Sequence, residues 1–332
     1  MTGQQEHRLQ DYVNVADDRL GAEALFATDE FFAAKERMLQ SSAPQWREGV
    51  YDDHGKWMDG WETRRRREPG HDYCVLKLAA PSMLYVLELD TRYFTGNYPP
   101  YASIDACRIA GAPDEHTAWT ELLPQSPLHG NERQLFDIGS REVWTHLRLN
   151  IHPDGGIARL RAWGRVYFDW SQVGAGETID LATALHGGRA VACSDEHYGS
   201  MQNLLLPNRG TSMADGWETR RRREPGHDWV ILELGRKGRI AQVEIDTAHF
   251  KGNFPHQLSM HAALLRDAED TDLTSQCLYW PLLLEPQYLM ADKLHRYDAQ
   301  LRDLGPVSHV RVNIHPDGGL SRVRLFGLPN RT

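Results

Sequence analysis

Hydrophobic and polar positions alternate with a period of two in short runs: YCVLKL, MLYVLELD, THLRLNI and ARLRAWG in the first half, and WVILEL, IAQVEID, HVRVNI and SRVRLFG in the second. Short β-branched and aromatic runs bounded by turn residues predict strands. In HVRVNI, Val310, Val312 and Ile314 would point one way and Arg311 and Asn313 the other. The segment HPDGG stands between two such runs in each half, with proline, aspartate and glycine placed for a hairpin turn with a glycine bulge. Helical signals are confined to FFAAKERML after Asp29 and to QYLMADKLHRYDAQLRDL in the second half. The pattern predicts an all-β chain of two antiparallel sandwiches of jelly-roll type.

The organisation follows from an internal repeat. Asp59 to Asp72 reads DGWETRRRREPGHD, and Asp215 to Asp228 reads the same fourteen residues. NIHPDGG occurs at Asn150 and again at Asn313, and DTRYFTGNYPP from Asp90 faces DTAHFKGNFPH from Asp246. Asp29-Glu30 matches Asp195-Glu196, and the first copy carries an insertion containing WREGVYDDHGKWM before its long motif. Each copy has the size of a domain, so the chain divides into two domains, 1–174 and 175–332, rather than a solenoid. The scaffold strands differ between the copies while the polar loops are identical. Loops ordinarily drift faster than cores, so this points to a specific constraint on them, catalytic or assembly-related.

Charge and composition narrow the picture. The 332 residues carry a formal net charge of −9 with 25% charged and 41% hydrophobic residues, as in a soluble globular protein. No run approaches the roughly 18 apolar residues of a membrane span, and MTGQQEHRLQDY has no basic or apolar leader pattern, so a cytoplasmic protein without a membrane partner is expected. Cys74, Cys107, Cys193 and Cys277 have no CxxC spacing, which fits reduced thiols. The arginine runs Arg64–Arg67 and Arg220–Arg223 would suit phosphate, but the acidic balance and the lack of an aromatic-interleaved basic stripe argue against nucleic acid.

In an extended segment alternate arginines point to opposite faces, so two of each four can converge on one ligand while the others pair with acids. A guanidinium fork binds a carboxylate in bidentate fashion, which makes a small acid the natural ligand for Arg64, Arg66, Arg220 and Arg222. Asn97 and Asn253 in GNYPP and GNFPH are suited to a urea or amide group. Glu62, His71, Asp72 and His152, with Glu218, His227, Asp228 and His315, are candidates for proton transfer. The bland alternatives are an ion-pair network around the arginines and simple turn roles for HPDGG and the asparagines. No ligand spacing typical of a metal site occurs, so no cofactor is required, with weak binding of Mn or another divalent ion left open.

The long motif, GNYP/GNFP and NIHPDGG, each present twice, resemble those of the allantoicase family over nearly the whole chain. The resemblance implies tandem jelly-roll domains of the galactose-binding-like kind and conversion of allantoate and water to ureidoglycolate and urea in purine breakdown. It also implies a homo-oligomer, a hexamer in the family's general form. On that reading an arginine fork holds the allantoate carboxylate, Asn97 or Asn253 recognises a ureido group, Glu62/Glu218 or Asp72/Asp228 is the base, and His71/His227 or His152/His315 is the acid. A non-catalytic tandem sandwich binding carbohydrate or another small ligand, an assembly protein, and action on ureidoglycolate are the competing readings.

Overall fold

The computed structural model describes residue 9, residues 11–265 and residues 272–330. Most of the amino-terminal stretch that was read for a leader therefore lies outside the described residues. The chain forms two compact units, Met1–Tyr167 and Phe168–Thr332.

In unit 1 the strands are β1 (Val13–Asn14), β2 (Glu23–Ala27), β3 (Tyr51–Asp52), β4 (Gly55–Lys56), β5 (Trp61–Glu62), β6 (Asp72–Asp90), β7 (Tyr101–Cys107), β8 (Thr120–Pro127), β9 (Arg133–Asp137), β10 (Val143–His152), β11 (Gly156–Ile157) and β12 (Arg159–Val166). In unit 2 they are β13 (Ile179–Asp180), β14 (Arg189–Cys193), β15 (Trp217–Glu218), β16 (Asp228–Asp246), β17 (Gln257–Ala263), β18 (Leu282–Tyr288), β19 (Leu294–Tyr297), β20 (Val307–His315), β21 (Gly319–Leu320) and β22 (Arg322–Pro329). All pairings are antiparallel, as expected for alternating strands joined by turns.

Each unit is built around one long strand. The first part of β6 pairs with β10 and β2, and the last part with β12 and β9. The strand thus belongs to both layers of a β-sandwich: β2-β6-β10-β7-β8 on one side and β1-β12-β6-β9 on the other. Strand β16 does the same in unit 2 with β20, β14, β22 and β19. Alternation sets the core: Leu147, Leu149 and Ile151 of β10, and Val310, Val312 and Ile314 of β20, are fully buried. The opposite faces of these strands are not simply wet. Asn150, Arg311 and Asn313 are buried as well, which marks a polar layer covered by loops.

Three local expectations are corrected. HPDGG is not a hairpin: β12 pairs with β6 and β1 instead of β10, and β11 leaves the main sheet to pair with β5. The His152–Pro153 and His315–Pro316 peptide bonds are cis, and Gly155 and Gly318 have φ of 139° and 132°. QYLMADKLHRYDAQLRDL is not a helix. It holds the end of β18 and all of β19, where pairing with β17 and β16 outweighs the helix propensity of its Leu, Met, Lys and Gln residues. FFAAKERML shrinks to a 3₁₀ turn, Lys35–Leu39, because Ala33 exchanges backbone hydrogen bonds with Glu62 (3.1 and 3.2 Å) and so cannot begin a helix.

Several motif residues serve this scaffold. Trp61 and Trp217 are fully buried, and their indole N–H groups donate to the Asp29 and Asp195 carbonyls (2.8 and 2.9 Å). Thr63 and Thr219 each receive the backbone N–H of the loop glycine, Gly155 or Gly318 (3.1 and 3.2 Å). Gly156 packs where a Cβ would lie 2.0 Å from the Phe94 ring, so that glycine is a packing requirement. Part of the identity between the repeats is therefore structural.

Candidate active site

The chemistry-bearing side chains form two clusters joined by the HPDGG loop, with the histidine at its start and the glutamate pairing at its end. At that end Glu62 sits opposite Gly156, and Glu218 opposite Gly319. Asn97 donates its amide N–H to Glu62 Oε1 at 2.6 Å, and Asn253 does the same for Glu218. Burial pushes the Glu62 carboxyl above its ordinary range, against the pull of the Asn97 bond. In unit 2 a cavity of about 590 Å³ lies over the dyad, lined by Glu218, Arg221, Arg222, Asn253, His256 and Asp317 among others.

The arginine run alternates as an extended chain should, but the phase is informative. Arg64 donates through its backbone N–H and its guanidinium to Asp29 (2.9 and 2.7 Å), and Arg220 binds Asp195 likewise. Although burial works upward on Asp29, the backbone N–H groups of Arg64 and Phe31 and the Arg64 fork hold its carboxyl below the usual range. Arg66 binds Asp72 at 2.9 Å while its backbone N–H donates to Asp154 at 2.8 Å. In unit 2 the Arg222 backbone N–H donates to Asp317 at 2.7 Å and its guanidinium lies 3.6 Å from Asp228. Thr28 and Ser194 hydroxyls complete Asp72 and Asp228, each at 2.9 Å. Arg64, Arg66, Arg220 and Arg222 thus tie the loop to acids; Arg66 and Arg222 are half-buried, whereas Arg64 and Arg220 are exposed like Arg65, Arg67, Arg221 and Arg223. The neighbouring acids Glu30 and Glu196 bond Lys35 and the Met201 backbone N–H at the 3₁₀ turns Lys35–Leu39 and Met201–Leu205.

At the other end of HPDGG, the rings of His71 and His152 are 4.5 Å apart, and those of His227 and His315 4.7 Å. His71 Nε2 lies 3.3 Å from Asn150 Oδ1, and His152 Nε2 3.1 Å from Ser103 Oγ. Register places Ser103 and Asp105 of β7 directly opposite Asn150 and Arg148 of β10, so all four share one face. Asp105 receives the Arg148 fork (3.1 and 2.8 Å) and the Asn150 amide (2.9 Å). The same register in unit 2 sets Ser259 and His261 opposite Asn313 and Arg311. Here Arg311 Nη2 approaches His227 Nε2 at 3.4 Å, and Asn313 Nδ2 lies 3.1 Å from His261 Nδ1. Burial first, then neighbouring positive charge, lowers His152, His227, His261 and His315 below the usual imidazole range.

Ser103, Asp105, Arg148, Asn150 and their partners were not among the candidates read from the sequence. Polar residues at every second position of an otherwise apolar strand, as in RLNIH and RVNIH, were the available signal. Among the described residues no three His, Cys, Asp or Glu side chains gather as a metal-ligand group. The loop carboxylates are already taken by guanidinium, hydroxyl and amide donors, which fits a divalent ion poorly. No helix among the described residues is long and apolar enough to cross a membrane.

Comparison with known proteins agrees with the duplicated architecture. The family model for the allantoicase repeat matches residues 13–167 and 179–330. Probable allantoicase 2 of Burkholderia pseudomallei is 54% identical over 317 residues, 95% of this chain and 94% of that protein. The probable allantoicase of Photobacterium profundum is 52% identical, covering 96% and 97%. The crystal structure of Saccharomyces cerevisiae allantoicase superposes with a TM-score of 0.83 at 34% identity over 99% of each chain.

Proposed function

Because the chain belongs to the allantoicase family, hydrolases acting on C–N bonds of linear amidines, we propose that it cleaves allantoate to ureidoglycolate and urea. Full-length similarity above 50% to probable allantoicases carries the reading. Both repeats carry carboxylates and histidines of the kinds the reaction calls for. Cleavage of the aminal C–N bond requires a base to deliver water to the α-carbon and an acid to protonate the departing urea nitrogen.

We assign the proton-transfer pair to unit 1. Glu62 is the base: burial raises its pKa toward working pH, which strengthens a carboxylate for this task. Asp72 is the weaker choice, because an arginine and a hydroxyl already stabilise it. His71 is the acid. Its counterpart His227 lies against the Arg311 guanidinium, which disfavours the imidazolium that an acid must carry, whereas Arg148 is neutralised by Asp105. Asn97 holds Glu62 and offers its remaining polar groups to a ureido group. His152 positions His71 through ring contact, and the paired arginines of the motif fix the loop.

Two measurements follow. Asn97→Ala removes the donor that holds the Glu62 carboxyl down, so its pKa rises further. The acid limb of kcat/KM, set by protonation of the base, then moves to higher pH; a limb that stays put or moves lower contradicts Glu62 as base. Metal-stripped and Mn-supplemented samples are expected to release urea from allantoate at the same rate, because the loop carboxylates are engaged by the chain itself. A rate that depends on Mn would contradict that account.

A further inference from the structure

The two repeats differ at one point in how they balance an arginine's charge. In unit 1 the Arg148 fork is neutralised by Asp105, although 32% of the Arg148 side chain is exposed. In unit 2 the residue at that register position is His261, and Arg311 is only 6% exposed. Arg311 Nε is buried and has no hydrogen-bond partner among the described residues. No carboxylate among the described residues pairs with this guanidinium. The groups around it are His227, the Trp229 ring 5.2 Å from its Cζ, and the Cys277 thiol, which burial pushes up against the pull of Arg311. Burying a guanidinium that faces no anion among the described residues is costly, which is opposite to what desolvation would select for a purely structural residue.

We propose that unit 2 holds a small-carboxylate site at Arg311, flanked by His227 and His261, and that unit 1 has no equivalent because Asp105 already fills it. The planar fork is suited to two parallel N–H···O bonds to a carboxylate. Asn313 and Ser259, linked at 3.3 Å on the same face, add hydroxyl and amide groups beside it. His227, His261 and His315 beside it are half-buried rather than enclosed. The ligand class is a small organic acid, and both the substrate and the product of the proposed reaction carry such a group. That choice of acids rests on the reaction above, while the site itself does not.

The test uses the full chain, with calorimetric titration of glycolate, a small acid lacking a ureido group, alongside urea-release kinetics on allantoate. His261→Asp recreates the unit 1 pair and is expected to weaken glycolate binding by about tenfold or more, with a thermal midpoint no lower than wild type. Because proton transfer is assigned to unit 1, KM for allantoate is expected to stay unchanged; a parallel rise in KM, with glycolate competing, would identify allantoate as the ligand and move the proton-transfer pair to unit 2. Should H261D fail to fold, Arg311→Lys keeps the charge but loses the fork, and the same loss of glycolate affinity is expected. Wild-type affinity in the folded variant, or no glycolate binding by wild type, overturns the site. A wild-type chain that binds glycolate but releases no urea would refute the hydrolase reading alone.

Discussion

Replacing Glu62 by Gln is expected to lower kcat for urea release by about 10²–10⁴-fold, the range for removal of a general base. The substitution is nearly isosteric, and Gln can still meet the Asn97 amide that now donates to Glu62 at 2.6 Å. Folding should therefore survive, and circular dichroism and the thermal midpoint should match wild type. Glu218→Gln is the companion variant. Its asparagine partner is the same, but its repeat places Arg311 against the histidine that would serve as acid, so kcat is expected to stay on the wild-type scale. Losses of about half in each variant would place an independent site in both repeats. A full loss in E218Q with none in E62Q would invert the assignment.

The largest stability effect is expected from Arg159→Met. Arg159 is fully buried, and its guanidinium donates to the Ser42 carbonyl (2.9 Å), the Asp59 carbonyl (3.1 Å), the Ala158 carbonyl (2.7 Å) and the Asp59 carboxylate (2.8 Å). Removing one partner of a buried pair leaves the other charge uncompensated and strands the carbonyls, at a cost of about 3–5 kcal/mol. Denaturant unfolding should show the midpoint of unit 1 falling sharply. The equivalent pair in unit 2, Arg322 with Asp215 at 3.0 Å, should be left intact, so its transition should change little. A variant with wild-type unfolding would mean that this network contributes little to stability.

Asp59 opens the fourteen-residue motif and Arg159 follows the NIHPDGG motif closely, which bears on how far the sequence speaks for the fold. Strand positions, their inward and outward faces and the duplication were legible, because period-two alternation and repeated motifs are local properties. The buried trio Val310, Val312 and Ile314 follows directly from that alternation. Where partners come from distant strands, the sequence was silent. That Asp105 meets Arg148, and that His261 takes its place in unit 2, depends on the register of β7 on β10 and of β17 on β20. The alternation of the arginines was legible, whereas which pair would meet acids was not, since Asp29 and Asp195 lie 35 and 25 residues away in the chain. The helix expected over QYLMADKLHRYDAQLRDL failed for a related reason: propensity is local, and pairing of β19 with β16 is not.

The most direct measurement is product analysis by NMR after incubating the purified full chain with allantoate. One urea and one ureidoglycolate per allantoate consumed is the expected result. Intact allantoate in the presence of folded protein would contradict the account and favour a tandem sandwich that binds small ligands without turning them over.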